Sequence, residues 1–363
     1  MALYIGLMSG TSMDGIDAAL VDLPSNRLVC GIVKKYSEAV TQGITNILNA
    51  SSLSLPLICQ LNTLIGRDFA AAVLELLQEA QVSAQDVVAI GSHGQTLCHD
   101  ASASIPYTLQ LGCAHTIASV THISVVADFR TRDLVNGGQG APFAPLYHQE
   151  LFAKKYKNTV VVNIGGISNS TFIVANEPTR GWDVGPGNCL MDAWTQKHLG
   201  KPFDTEGAWA KQGIVLEDLL AKWLLDPFLA LVPPKSIGKE YYSQSWLESF
   251  LEPQYRPVDV QATLLAFTCH CIARSVHDTK ILDLDSLFLC GGGAHNIHLC
   301  DTLSDLLPNV AVKSTACIGV NPDYLEAMMF AWLASQTISN NPVNLSSITG
   351  SRGDELLGAI YPC

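Results

Sequence analysis

Two similar mixed α/β lobes are the fold class this sequence predicts, and three observations carry it. An apolar run breaks at a small polar tip and then resumes twice, near residues 3–20 and 159–174. Each time, a stretch with apolar residues three and four apart follows, and then a short buried-type strand ending at glycines. At 363 residues the chain has the length of about two domains.

The first unit opens with Leu3, Ile5 and Leu7 on one side of a strand. It breaks at Ser9-Gly10-Thr11-Ser12 and resumes through Ile16, Ala18 and Leu20. Residues 58–80 then carry Leu61, Leu64, Ile65, Phe69, Val73 and Leu76 at helical spacing. Val87 to Ile90 reads as a strand that breaks at Gly91-Ser92-His93-Gly94. The second unit repeats the order. Thr159 to Val162 leads into a tip at Gly165-Gly166, and Ser170 to Val174 resumes the strand. Residues 259–278 are helical, with Leu264, Leu265, Ile272 and Val276. Leu287 to Cys290 breaks at Gly291-Gly292-Gly293, before a helix over 297–307. The second half is longer by an insertion of roughly 45 residues, within about 180–257. Residues 322–337 read as a helix, and 356–360 as a closing segment. The expected lobes are 1–130, joined by 345–363, and 131–344. Hairpins mixed with helix-connected strands imply mixed sheets flanked by helices. Glycine-rich tips at strand ends imply a ligand cleft between the lobes.

A net charge of −12 argues against nucleic acid or an anionic membrane surface as partner. The start, MALYIGLMSG, lacks a basic n-region, and no apolar run approaches the roughly 18 residues of a membrane span. The expected location is the cytoplasm. Eleven cysteines include no C-x-x-C pair, and the nearest two are Cys269 and Cys271. Buried reduced thiols fit this spacing better than zinc, so no metal is assigned to cysteine or histidine.

Four segments carry chemistry. The tip from Gly10 to Asp17 offers backbone N–H groups and hydroxyls that suit phosphate oxygens. Asp14 and Asp17 would repel those oxygens unless a cation such as Mg²⁺ intervened. A plain hairpin turn is the competing reading. In DFRTRDLVNGGQGAP, Arg130 and Arg132 make a local positive point able to grip a carboxylate or phosphate. A salt-bridged surface turn competes. In WDVGPGNCLMD, Asp183 stands before a stiff Gly-Pro-Gly turn, as a candidate general base. A plain helix cap competes, and Asp192 reads as structural. In CGGGAHN, three glycines allow a flat ring to approach the backbone, and the following helix N-terminus favours phosphate. Neither the P-loop nor the G-x-G-x-x-G signature is present.

These segments, with IGSHGQT, NIGGISN, PKSIGKEY, DVQATL, LEAMMFAWLA and the terminal GAIYP, span residues 5–362. In this set the chain resembles the anhydro-N-acetylmuramic acid kinases, of the actin/hexokinase/Hsp70-type ATPase superfamily. The one departure noted is TGSRGDELLGAIYP, where an alanine commonly follows the first glycine. The resemblance implies two duplicated ribonuclease-H-like lobes, ATP and Mg²⁺ as cofactors, and a homodimer. It implies hydrolytic opening of the 1,6-anhydro bridge of an amino sugar with phosphorylation of O6. By motif, Gly10, Thr11, Ser12, Met13, Asp14, Gly15, Ile16 and Asp17 would hold phosphates. Gly165, Gly166, Gly291, Gly292 and Gly293 would complete the nucleotide site. Asp183 would be the base, and His93, Arg130, Arg132 and Glu326 the sugar contacts. The bridged O6 has no proton to lose, so a water must attack C1 from the opposite face, as in inverting glycosidases. An ordinary sugar kinase of the same superfamily and a nucleotide-dependent interaction ATPase are the alternatives.

Overall fold

A computed structural model describes residues 2–10, 15–23, 25–49, 54–238 and 240–363. The chain divides into two compact units, Met1–Phe143 with Tyr324–Cys363, and Ala144–Asp323.

The first unit is built on strands β1 (Leu3–Ser9), β2 (Ile16–Asp22), β3 (Arg27–Lys34), β4 (Val87–Asp100), β5 (Tyr107–Leu111) and β6 (Val125–Ala127). β1 and β2 pair antiparallel, from Leu3 opposite Asp22 to Met8 opposite Asp17. β1 and β4 pair parallel, which requires a crossover through the helix Leu55–Ala80. β6 adds parallel to β4, and the late strand Ala359–Tyr361 closes that edge antiparallel. Leu3, Ile5 and Leu7 share one face of β1 and join a core with Ile65, Phe69 and Val73 of the long helix. That helix is long and apolar enough to cross a membrane by length and composition alone. It nevertheless carries Arg67, Asp68, Glu75 and Glu79, and packs Phe69, Val73 and Leu76 into the core.

The opposite face of β1 is also buried, under the helix Leu325–Ile338. A Cβ at Gly6 would strike the Ala327 carbonyl, and one at Gly91 the Phe330 carbonyl. Helix backbone therefore rests directly on the sheet. Two expectations change here. Residues 131–344 were expected together, yet this helix belongs with the first sheet, because glycines in β1 and β4 leave it room. Nor does β4 break at Gly91. It runs on to Asp100, since Gly91 pairs with Gly6 and the residues from Gln95 onward pair with β5.

The second unit has β7 (Asn158–Ile164), β8 (Ile167–Val174), β9 (Arg180–Pro186), β10 (Ser286–Cys290) and β11 (Ala311–Ser314), in the order β11-β10-β7-β8-β9. Val160, Val162 and Ile164 of β7 share a core with Leu264, Leu265 and Phe267 of the helix Pro257–Thr279. The long connection after β9 folds into short helices, Cys189–Leu199, Glu217–Trp223 and Gln244–Glu248. Trp223, Tyr242 and Leu247 from it join the same core. Gly-Pro-Gly is not wholly a turn, as β9 continues through Pro186 opposite Ile167. A proline is tolerated there because β9 is an edge strand.

Candidate active site

In the first unit the β1–β2 tip is tied down at its base. Ser9 Oγ lies 2.7 Å from the Gly15 carbonyl and 2.8 Å from Gln95 Oε1. Gln95 Nε2 donates to the Gly10 carbonyl at 3.3 Å, and the Tyr36 hydroxyl donates to Gln95 Oε1 at 3.3 Å. Thr11, Ser12, Met13 and Asp14 of the expected phosphate segment lie outside the described residues. Gly15 is buried against β3, and the Ile16 side chain sits in the core. Asp17 is half-buried at the tip end of β2. Gln95 and Tyr36 were not anticipated. Their only trace in the sequence is Gln95 within IGSHGQT.

His93, Arg130 and Glu326 come together in this unit. Arg130 follows β6 on the short helix Phe129–Val135, entered through Asp128 at a positive φ. Its Nε donates to His93 Nε2 at 3.0 Å, and its Nη1 to the Gly140 carbonyl at 2.8 Å. Its guanidinium lies 5.7 Å from the centre of the Phe143 ring. A guanidinium can only donate, so His93 Nε2 accepts and its Nδ1, 2.9 Å from the Gly94 carbonyl, carries the proton. Burial, aided by the Arg130 charge, holds the His93 pKa well below its ordinary value. Its ring packs 4.8 Å from Phe330, one turn beyond Glu326 on the same helix. Burial raises the Glu326 carboxyl pKa and Arg130 opposes it. Arg132 is exposed and does not join the cluster. Residues two apart on a helix point in nearly opposite directions, so the two arginines do not grip one anion together.

Asp133 is buried and organises the following loop. It accepts the Gly140 N–H at 2.5 Å and the Thr349 hydroxyl at 2.7 Å. Burial raises its pKa against these hydrogen bonds.

In the second unit Asp183 lies within β9, opposite Asn169 of β8 at a bulge. It is half-buried. Its Oδ2 accepts the Ile237 N–H at 2.9 Å, and its own N–H donates to the Lys235 carbonyl at 3.1 Å. A carboxylate in this frame is fixed in orientation, rather than carried on a loose turn. The Gly165-Gly166 tip accepts hydrogen bonds from the loop before the helix Cys189–Leu199. Asn188 N–H reaches the Gly165 carbonyl at 2.7 Å and Gly187 N–H the Gly166 carbonyl at 2.9 Å. The three glycines after β10 divide by function. A Cβ at Gly291 or Gly293 would strike Asn163 or Ile164 of β7, whereas Gly292 has ordinary clearance. Two of them are thus required by the chain's own packing. The helix Ile297–Leu306 is capped by Asn296, whose side chain takes the Leu299 N–H at 3.0 Å. One donor of that N-terminus is therefore already used.

Comparison with known proteins places the chain in a family. The family described as anhydro-N-acetylmuramic acid kinase matches residues 2–363. A protein of that name from Legionella pneumophila strain Corby is 62% identical over 362 residues, covering 100% of this chain and 99% of the relative. One from Coxiella burnetii strain Dugway is 43% identical over 361 residues, covering 99% and 97%. A solved ROK family glucokinase from Streptomyces griseus, in complex with glucose and AMPPNP, aligns with 92% of this chain and 100% of its own. Its identity is 13% and its TM-score 0.43. The chain belongs to the anhydro-N-acetylmuramic acid kinase family.

Proposed function

We propose that this chain is an ATP-dependent kinase acting on 1,6-anhydro-N-acetylmuramic acid in cell-wall recycling. It opens the anhydro bridge with water and transfers the γ-phosphoryl group to O6, giving N-acetylmuramic acid 6-phosphate and ADP. It works in the cytoplasm as a homodimer, with the amino sugar and ATP as its partners and neither nucleic acid nor membrane.

The observation that carries the mechanism is the clamped carboxylate of Asp183. Inverting attack at C1 needs a carboxylate that holds a water and takes its proton. Positioning must supply much of the rate, and alignment of reactants contributes roughly 7–11 kcal/mol in favourable cases. A carboxylate on a strand, oriented by a main-chain N–H, meets that demand. As C1–O6 breaks, the departing O6 takes the γ-phosphoryl group. The segment Gly10–Asp17, Gly165, Gly166 and Gly291–Gly293 hold the nucleotide. His93, Arg130 and Glu326 contact the sugar, and an arginine suits the lactyl carboxylate that a plain hexose lacks; Arg132, exposed outside that cluster, is left out of this set. Among the described residues no group of three or more His, Cys, Asp or Glu side chains is arranged to hold a metal. Mg²⁺ needs none, since it binds through one or two carboxylates together with phosphates and water. Asp17, a hard oxygen donor at the tip end of β2, fits that role. The ion would neutralise phosphate charge.

Turnover in ¹⁸O-water tests the reading. The expected product carries label at the C1 hydroxyl, with inverted configuration before mutarotation. A phosphorylated product without prompt label at C1 overturns the hydrolytic step in favour of ordinary hydroxyl phosphorylation.

A further inference from the structure

Asp183 is held by a segment that belongs to no regular element. Its N–H donates to the Lys235 carbonyl, and its Oδ2 accepts the N–H of Ile237, two residues on. This stretch is itself anchored by one side chain. Lys235 Nζ donates to the carbonyls of Phe228 at 3.1 Å and Leu229 at 3.3 Å, and lies 4.6 Å from the centre of the Phe228 ring. Those carbonyls sit in the turn Pro227–Ala230. Its entry is set by buried Asp226, which takes the Phe228 N–H at 2.9 Å and the Trp246 Nε1–H at 3.3 Å.

The ammonium is poorly placed for stability alone. Burial and the Arg274 guanidinium disfavour its charge, while Cys271, Asp278 and Asp183 favour it. It lines a small cavity of about 70 Å³ with apolar Trp182, Val184 and Leu229 and with polar Arg274, Ser275 and Asp278. A methionine of similar length would fill that space with no charge to desolvate.

The geometry points to Lys235 as a positioning residue for Asp183. Its ammonium, through two carbonyls, fixes the main chain that aims the carboxylate. This rests on Asp183 being the base. The test compares Lys235→Met, Lys235→Arg and Asp183→Asn in the full chain, by kcat, KM, thermal midpoint and pH profile. Lys235→Met is expected to lower kcat by about tenfold to a hundredfold, the scale of a small misalignment, with the KM for ATP unchanged. The acid limb of its kcat/KM profile moves to higher pH, because a cation beside Asp183 is gone. The other groups facing Lys235, namely Arg274, Asp278 and Cys271, are untouched. Lys235→Arg, which keeps charge and donors, restores most of kcat. If Lys235→Met keeps kcat within about twofold of wild type while Asp183→Asn abolishes it, the positioning role is overturned and the base assignment stands. A lowered kcat with an unmoved acid limb, a fallen thermal midpoint and no rescue by arginine reduces Lys235 to a structural role. Normal turnover in Asp183→Asn removes the base, and this proposal with it.

Discussion

His148 shows what a buried residue of ordinary appearance does to this protein's pH response. Its Nδ1 lies 2.7 Å from the Thr171 hydroxyl, and burial pushes its pKa down to about 3. Between the unfolded value of about 6.5 and that folded value, the unfolded chain gains a proton that the folded chain refuses. The unfolded state binds more protons there, so stability is present above pH 6.5 and falls as pH drops through this window. Each pH unit costs about 1.4 kcal/mol. Urea unfolding should show a loss of about 2 kcal/mol from pH 6.5 to 5 that disappears in His148→Gln. Equal losses in both chains would remove His148 as the source. Nothing in the sequence distinguishes His148 from the other nine histidines. His93, by contrast, stands among glycines in IGSHGQT and was legible as a site residue, though its neutral form was not. That form is set by burial and, with it, by Arg130, 37 residues later in the chain.

Elements were legible where periodicity is local, and illegible where a partner comes from far along the chain. Both hairpins and both long helices follow from alternation or 3.6-residue spacing. The helix Leu325–Ile338 was also expected, but its destination was not. It is apolar nearly all round, so no stripe says which sheet it covers. Its destination is written instead in Gly6, inside β1, and in Gly91, which reads from sequence as the break after a strand. The clamp on Asp183 was hidden for a related reason, since its partners, the Ile237 N–H and the Lys235 carbonyl, are main-chain groups of the loop PKSIG. Glycine substitution separates packing from ligand roles. Gly6→Ala and Gly91→Ala should each cost about 3 kcal/mol or more, because the obstacle is helix backbone and cannot rotate away. Gly291→Ala and Gly293→Ala should also lower the thermal midpoint. Gly166→Ala and Gly292→Ala have nearest neighbours at 3.8 and 3.6 Å and should leave it unchanged. A change in ATP affinity in those two variants then reports on the nucleotide alone. A fall in stability at Gly166 or Gly292 as large as at Gly293 would defeat this division.

At the scale of the whole molecule, the first unit is completed by the chain's last forty residues, whereas the second is one continuous stretch. The closing segment does more than cover an edge. Leu345, Ile348 and Leu357 are buried almost completely, each contributing roughly 1.5–3 kcal/mol. Ala359 and Tyr361 pair with Ala127 and Val125 of β6. The Thr349 hydroxyl serves buried Asp133, and its carbonyl takes the Gln139 N–H at 3.1 Å. Leaving that carboxylate short of a donor costs about 1–3 kcal/mol more. Together these terms rival the roughly 5–15 kcal/mol that stabilises a typical domain. Among the described residues, the second unit's core, around Trp223, Phe267 and Leu287, draws on none outside 144–323. Removal of residues 345–363 should therefore abolish hydrogen-exchange protection in β1, β4 and β6 while β7, β8 and β10 keep theirs. Uniform loss of protection across all six strands would show that folding of the second unit depends on the first. Retained protection in β1 and β4 would show that the Asp133–Thr349 tie and the last strand are dispensable to the sheet that carries His93.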